Sequence, residues 1–337
     1  MKLIRHEGYA RAGLIGNPTD GYGGKTISFT MTNFKATVVM YPWEQLEILW
    51  SQEDKNRFDS LDDLVEDVNL NGYYGGVRLV KATIKRFAEY CRAQEIALSD
   101  QPFSVRYETA IPRGVGLSGS SAIIVATLHC LMEFYGVSIP QIVQPSLVRA
   151  VENEELGIAC GYQDRVVQVY QGLVAMDFSS MEPIEGYECG LYESLTADVL
   201  PPVYVCYDTE GAKTSASVHG PLRTRMAERA DLQETMEQIA ALVPEAREAL
   251  SEGDHPRLHA LIDRNFDLRA GLYDIREDHR RMIETARGVG VSAKFAGSGG
   301  AIVGTYDTPQ RFEALVTAMS RACPAWRVIR PQIPGSR

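Results

Sequence analysis

The sequence lacks the features that mark a membrane protein, a disulfide-rich secreted protein or a zinc protein. No apolar run approaches the roughly 20 residues of a membrane span, and the opening residues, MKLIRHEGYARAG, lack the apolar core of a secretory signal. The six cysteines form no CxxC pair, and the six histidines form no HExxH cluster. We therefore expect a cytoplasmic protein with reduced thiols, without a zinc site and without a membrane partner.

Positive charge is also scarce. Lys and Arg number 34 against 44 Asp and Glu, which gives a formal net charge of -10. This excess of acid argues against nucleic acid as the main partner. It also means that local groups and a metal, rather than the field of the whole protein, must attract any anionic substrate. We expect small-molecule substrates and a monomer or homodimer.

The length of 337 residues is enough for two domains. After about residue 198, a strand is followed by long helical stretches and then by strand, strand, helix and strand, which indicates an α+β arrangement. We predict one domain over 1–198 and a second over 199–337. In the first domain, β-branched residues predict a strand at 26–40 and alternation predicts a strand at 103–111. Helices are predicted at 76–91, 122–135, 146–157 and 164–170.

One glycine-rich stretch, IPRGVGLSGSSAIIVATLHC at 111–130, lacks the lysine of a Walker A loop, because Ser120 stands in its place. Gly114, Gly116 and Gly119 match the dinucleotide pattern GxGxxG, but a second helix follows where that fold needs a strand. The order strand, glycine loop, helix still predicts an anion site, because free backbone N–H groups meet the positive helix end there. The hydroxyls that can add donors or a metal ligand belong to Ser118, Ser120 and Ser121.

Two further glycine loops strengthen this interpretation. RAGLIGNPTDGYGGKT at 11–26 places polar side chains around one turn, although NPTD alone is typical of surface turns. KFAGSGGAIVG at 294–304 joins two apolar strands and alone could be a plain hairpin. Three such loops in one chain favour a phosphate-handling enzyme.

The segment VENEELGIACGYQDR holds two acids with different surroundings from their neighbours. Glu152 has apolar residues four positions away on either side, so a helix would place it on an apolar face. A carboxylate on such a face needs a cation, and Mg²⁺ suits it. Asp164, beside Arg165, could be a base held ionised by nearby positive charge.

These residues resemble the GHMP kinases, which include galactokinase, homoserine kinase and mevalonate kinase. The second motif of that family, Pro-x3-Gly-Leu-x-Ser-Ser-Ala, resembles 112–122, with Gly119 as an extra residue. The first and third motifs resemble 11–20 and 296–300. LIGNPTDGYGGKTISF, NGYYGGVRLV and ELGIACGYQDRVVQVYQGLVAMDF are similar to the plant glucuronokinases in particular.

The resemblance implies a GHMP kinase fold, with an N-terminal domain like domain 2 of ribosomal protein S5 and a C-terminal ferredoxin-like domain. It implies phosphorylation of the anomeric hydroxyl of D-glucuronate by ATP with Mg²⁺. The alternatives are another uronate, a neutral hexose, a mevalonate-type acid, or an inactive sensor of sugar and ATP. Asn17 and Pro18 stand where galactokinases have Glu-His, which weakens a galactose assignment.

The resemblance also assigns roles to single residues. Asp164 would accept or orient the proton of the sugar hydroxyl, and Arg11 would keep Asp164 ionised. Glu152 would hold Mg²⁺ together with Ser120 or Ser121. The residues expected at ATP are Pro112, Gly114, Val115, Gly116, Leu117, Ser118, Gly119, Ser120, Ser121, Gly297, Ser298 and Gly299. The residues expected at the second substrate are Asn17, Asp20, Arg113, Arg165 and Lys213, with Arg223 and Arg225 as further partners for a carboxylate and 208–219 as a covering loop.

Overall fold

The computed structural model describes residues 2–49, 75–210 and 230–335. The first of two sheets contains β1 (Ile4–Ile15), β2 (Lys25–Pro42), β3 (Glu47–Ile48), β4 (Phe103–Thr109), β5 (Leu173–Ile184) and β6 (Tyr187–Leu195). Its order is β3-β4-β2-β5-β6, and β1 pairs with β2 outside this path.

The long strand β2 pairs with three other strands of the first sheet and so links them together. It pairs antiparallel with β1 along most of its length, with β4 through 36–42 and with β5 through 25–29. Arg11 of β1 lies opposite Thr30, just after a register shift, and its backbone N–H donates to the carbonyl of Leu117 at 3.3 Å. The strand therefore brings Arg11 directly beneath the first glycine-rich stretch.

Helices from the described residues of the first half cover this sheet. The first-half helices are α1 (Gly76–Ala93), α2 (Gly119–Tyr135), α3 (Gln144–Ala150) and α4 (Gln163–Tyr170). The start of α2 lies very close to β1, because a Cβ on Gly8 would be only 2.1 Å from the carbonyl oxygen of Ala122. Only glycine at position 8 permits this approach.

The second sheet has the order β10-β7-β9-β8. Both of its faces are buried. On β7, Val203 and Val205 join the main core, whereas Tyr204 and Cys206 pack into a separate apolar cluster. The second-half elements are β7 (Val203–Asp208), α5 (Ala230–Glu252), α6 (His255–Ala270), α7 (Glu277–Arg287), β8 (Lys294–Phe295), β9 (Ala301–Thr305), α8 (Pro309–Ala322) and β10 (Trp326–Ile329).

The predicted α+β class is confirmed, and the predicted strands and helices of the first half are present within a few residues. The helix predicted over 146–157 differs, because α3 ends at Ala150 and a wider π-helical turn follows over Val151–Glu155. The boundary at 198 stays a prediction; a 3₁₀ turn at Ala197–Val199 lies between the two sheets. None of the described helices is both long and apolar enough to cross a membrane, and the cytoplasmic location stays a prediction.

Candidate active site

A cavity of about 290 Å³ opens where the two sheets' loops meet. Its wall combines the turn after β1, the glycine loop before α2, the segment leading into α4 and the loop between β8 and β9. The predicted site residues that line it are Arg11, Asn17, Asp20, Pro112, Arg113, Gly114, Gly116, Leu117, Ser118, Gly119, Ser120, Glu152, Asp164, Arg165, Gly297 and Ser298.

Asp164 lies in the first turn of α4 and is held from two sides. Arg11 donates through Nε to Oδ1 at 2.6 Å, and the hydroxyl of Ser118 donates to Oδ2 at 2.6 Å. Burial alone would raise the pKa of Asp164, but the guanidinium groups of Arg11 and Arg165 outweigh burial and hold that pKa well below its ordinary value. The carboxylate is therefore ionised at neutral pH.

Arg11 also joins the loops of the two halves. Its Nη1 donates to the carbonyl of Gly116 at 2.6 Å and to the carbonyl of Ala296 at 3.0 Å. One buried guanidinium thus fixes Asp164, the first glycine loop and the loop between β8 and β9 relative to one another.

Glu152 lies in the π-helical turn and is fully buried. The hydroxyl of Ser120 donates to its Oε1 at 2.7 Å, and Arg165 donates to its Oε2 through Nε at 2.6 Å and through Nη2. Arg165 is 4% exposed, and its Nη1 is 3.4 Å from Oδ2 of Asp164. The predicted binding of a substrate carboxylate by Arg165 therefore competes with an ion pair that Arg165 already makes.

The glycine loop leaves the start of α2 available to an anion. Ser118 adopts a left-handed φ of 64°, and its side chain does not cap α2 because its hydroxyl reaches Asp164. Uncapped N–H groups at a helix start attract phosphate. Ser121 and Val115 are buried and do not line the cavity; the hydroxyl of Ser121 donates to the carbonyl of Ser118 at 3.4 Å. Of the two serines predicted at a metal, Ser120 is the one that faces Glu152.

The loop between β8 and β9 touches the first glycine loop. A Cβ on Gly297 would lie 2.2 Å from the carbonyl oxygen of Gly116, and a Cβ on Gly116 would lie 2.9 Å from the N of Ser298. The contact therefore leaves no room for a Cβ on either glycine. Gly299 does not line the cavity and instead lies against His279.

Asn17 and Asp20 both belong to the turn after β1, but they have different partners. The side chain of Asn17 donates to the carbonyl of Phe295 at 3.3 Å and accepts from Lys294, so it ties the turn to β8. Asp20 accepts from the backbone N–H of Gln163 at 3.0 Å. Burial raises the pKa of Asp20, and the nearby charge of Asp164 raises that pKa further.

Some residues of the wall were not predicted. Tyr22, Cys160 and Gln163 line the cavity, and Gln163 is nearly buried beside Asp164. The position of Gln163 directly before the predicted base was a signal that could have identified it. Lys213, Arg223 and Arg225 lie outside the described residues, as does most of the predicted covering loop, and their roles stay predictions.

This arrangement is well suited to the transfer of a phosphoryl group to a hydroxyl group. An uncapped helix start and two glycine loops can hold a polyanion, and an ionised carboxylate lies within the same cavity. A hydroxyl group placed between them could be deprotonated or oriented while a phosphoryl group is transferred.

Comparisons with known proteins agree with this geometry. The pattern of the GHMP kinases N terminal domain matches residues 78–172, and that of the GHMP kinases C terminal matches 246–325. The chain is 44% identical to probable glucuronokinase 2 of Arabidopsis thaliana over 309 residues, which is 89% of this chain and 84% of that protein. It is 43% identical to glucuronokinase 1 of the same plant over 307 residues, with the same coverage.

The fold has counterparts among solved structures. Lactococcus lactis galactokinase, solved in complex with galactose, superposes with a TM-score of 0.74 at 16% identity, covering 99% of this chain and 94% of that chain. Sequence and fold lead to the same assignment. The chain therefore belongs to the GHMP kinase family and is a phosphotransferase.

Proposed function

We propose that this kinase transfers the γ-phosphoryl group of ATP to the anomeric hydroxyl of D-glucuronate. A bond forms between the anomeric oxygen and the γ-phosphorus, the bond to the bridging oxygen of ADP breaks, and the hydroxyl proton leaves the sugar. The products are D-glucuronate 1-phosphate and ADP. The observation that carries the proposal is the ionised Asp164 beside the glycine loop, in a chain 43–44% identical to two glucuronokinases.

The phosphates of ATP are proposed to lie in the cavity, beside the two touching glycine loops. ATP is the co-substrate of this kinase family. The uncapped start of α2 and the left-handed backbone at Gly114 and Gly116 support this placement, because such turns point successive N–H groups into one concavity. Gly297 and Ser298 would close the phosphates from the other side.

Kinases of this family typically use a divalent metal, and the residues present fit one. Ser120 and Glu152 supply the hard oxygen ligands that such an ion prefers. Among the described residues, no group of three or more His, Cys, Asp or Glu forms a complete metal site, so phosphate oxygens and water would complete the coordination. We propose Mg²⁺, which when bound offsets the charge on the phosphates.

Asp164 is proposed to orient the sugar hydroxyl and accept its proton. A positioned base typically contributes about 10²–10⁴-fold to the rate. Arg11 keeps the carboxylate ionised and fixes its direction through the contact at 2.6 Å. Phosphoryl transfer itself depends mainly on position and on neutralised charge, which the loops and cations supply.

The carboxylate of the uronate needs a cationic partner. Arg165 is committed to Glu152. The remaining proposed candidates are Arg113 of the cavity wall and Lys213, Arg223 and Arg225, which lie outside the described residues. A monomer or homodimer and a cytoplasmic location remain predictions alongside this proposal.

The decisive experiment is an ATP-consumption assay with D-glucuronate, D-galacturonate, D-galactose and mevalonate as acceptors. We expect the highest kcat/KM with D-glucuronate and formation of the 1-phosphate, which phosphorus NMR identifies. A higher kcat/KM with any other acceptor would reassign the substrate within the family. Binding of ATP and sugar without turnover on all four acceptors would favour the sensor.

A separate prediction concerns Asp20. Since its pKa is raised, the folded protein prefers the neutral carboxyl, and the ionised form costs stability above that pKa. Asp20→Asn is expected to raise the free energy of unfolding at neutral pH by about 1 kcal/mol. The same change should raise KM for the sugar by about tenfold, because a charge-assisted hydrogen bond is lost.

Denaturant unfolding and steady-state kinetics test both parts. The stability difference should vanish as the pH falls through the raised pKa, where both side chains are neutral. Asp263→Asn is the control, because burial also raises the pKa of Asp263 but that residue lies away from the cavity. An unchanged KM for the sugar in Asp20→Asn would exclude Asp20 from sugar binding.

A further inference from the structure

Arg269 of α6 is a buried guanidinium outside the residues considered so far. It is 1% exposed and is the largest fully buried side chain in the described part of the chain. Its Nη1 donates to the carbonyl of Gly297 at 2.8 Å, and its Nε donates to the hydroxyl of Tyr273 at 2.5 Å. Its guanidinium carbon lies 5.1 Å from the ring centre of Phe295.

None of these contacts supplies a negative charge. Within residues 2–49, 75–210 and 230–335, the partners of Arg269 are a carbonyl, a hydroxyl and aromatic rings. A buried cation without an anionic partner is costly, so such a group normally has a counter-charge. The counter-charge of Arg269 is therefore absent from its described protein contacts.

Other basic side chains surround the same loop. Burial lowers the pKa of Lys294 well below its ordinary value, and the charges of Arg269 and Arg11 lower that pKa further. Arg11 already pairs with Asp164 at 2.6 Å. The guanidinium groups of Arg11 and Arg269 both contact the loop between β8 and β9.

The three basic side chains each hold one carbonyl of that loop. Lys294 donates to the carbonyl of Phe295 at 2.9 Å, Arg11 to that of Ala296 at 3.0 Å, and Arg269 to that of Gly297 at 2.8 Å. Arg269 does not line the cavity, whereas Gly297 does, so the carbonyl of Gly297 is bound from behind the loop. Because carbonyl oxygens repel phosphate, this contact keeps an unfavourable group from turning towards an anion in the cavity.

We propose that Arg269 is a positioning residue for the phosphates of ATP. It fixes the carbonyl of Gly297 away from the cavity, and its buried charge is balanced by the nucleotide phosphates on the other side of the loop. The inference rests on the proposed placement of the ATP phosphates in the cavity beside the glycine loops. It predicts that nucleotide affinity, rather than sugar affinity, depends on Arg269.

The test is calorimetric titration of Arg269→Met with ADP in the presence of Mg²⁺. We expect Kd for ADP to rise by about tenfold to a hundredfold, because both the buried charge and the loop constraint are lost. KM for D-glucuronate should change less than about threefold, and the melting temperature without nucleotide should change by only a few degrees, since a buried unpaired charge is replaced by an apolar chain.

The matched control is Arg287→Met. Arg287 also lies over a phenylalanine ring, 5.2 Å from the centre of Phe266, but it pairs with Asp263 at 3.0 Å and does not contact the glycine loop. The control should lose stability and keep the wild-type Kd for ADP.

Two further measurements keep the proposal decidable. Arg269→Lys retains the charge but cannot bond Gly297 and Tyr273 together, so its Kd for ADP should be at least about threefold above that of wild type and below that of Arg269→Met. A Kd within twofold of wild type in Arg269→Met, or in Arg269→Lys if the methionine variant does not fold, overturns the proposal. If wild type binds ADP but does not phosphorylate D-glucuronate, the proposed acceptor fails while the role of Arg269 is still tested.

Discussion

Asp164→Asn is expected to lower kcat by about 10²–10⁴-fold, whereas Kd for ATP should remain close to that of wild type. Asparagine keeps the shape of the side chain but cannot accept a proton. Its amide also cannot accept from both Arg11 and Ser118, which contact the two carboxylate oxygens at 2.6 Å each. Steady-state kinetics with saturating substrates and calorimetric titration with ATP separate the two effects.

The matched control for this change is Asp177→Asn. Asp177 pairs with Lys25 at 2.7 Å near the surface of β5, outside the cavity. The control should retain kcat within about twofold, because exposed ion pairs contribute little. If Asp164→Asn kept kcat within a few-fold of wild type, the assignment of Asp164 as the base would be wrong.

The pH dependence of Asp164 has a defined sign. Its pKa is lowered in the folded protein, so the stability that it contributes is present above the ordinary pKa of the unfolded chain. That stability is lost only as the pH falls through the lower folded value. A loss of activity between about pH 5 and pH 7 would therefore belong to other groups, and Asp164→Asn should not remove it.

Arg11→Met is expected to have the second large effect, on both stability and rate. Removing one partner of a buried ion pair typically costs on the order of 3–5 kcal/mol. Arg11 also donates to the carbonyls of Gly116 and Ala296, so both loops lose a tether. We expect kcat/KM to fall by about 10³-fold or more, because no single side chain then holds the base and both phosphate loops in position relative to one another.

Denaturant unfolding and kinetics measure these losses. Arg5→Met is the control on the same strand, since Arg5 forms an exposed pair with Glu7 at 3.1 Å. That variant should change stability by less than about 0.5 kcal/mol. The double variant Arg11→Met, Asp164→Asn should be less impaired than the sum of the two changes. Strict additivity would argue against direct coupling between the two side chains.

The elements of the first half could be predicted because their periodicity is local. The richness in β-branched residues identified β2, alternation identified β4, and the apolar run before Gly136 identified α2 with its correct end. No separate helix was predicted over α7, whose charged residues outnumber its apolar ones. The π-helical turn at Val151–Glu155 was also missed, since no sequence period distinguishes it from an α-helix.

Of the candidate site, only the residues that belong to recognisable sequence motifs could be predicted. The glycine loops, Asp164 and Glu152 follow from residue type and order. The commitment of Arg165 to Glu152, and the contact of Ser118 with Asp164, depend on the backbone turn before α2 and on packing between distant segments. Arg269 carries no motif, because its significance comes from what surrounds it in space.

The contact between the two glycine loops has a consequence for how this enzyme can be divided. Gly116 belongs to the first half and Gly297 to the second, and their backbones meet without intervening side chains. If the chain were expressed as two fragments, divided between the segments that form the two sheets, each fragment would carry only one of the two glycine loops. Catalysis by such fragments would require their reassembly, so recovered turnover would report directly on complementation between the halves.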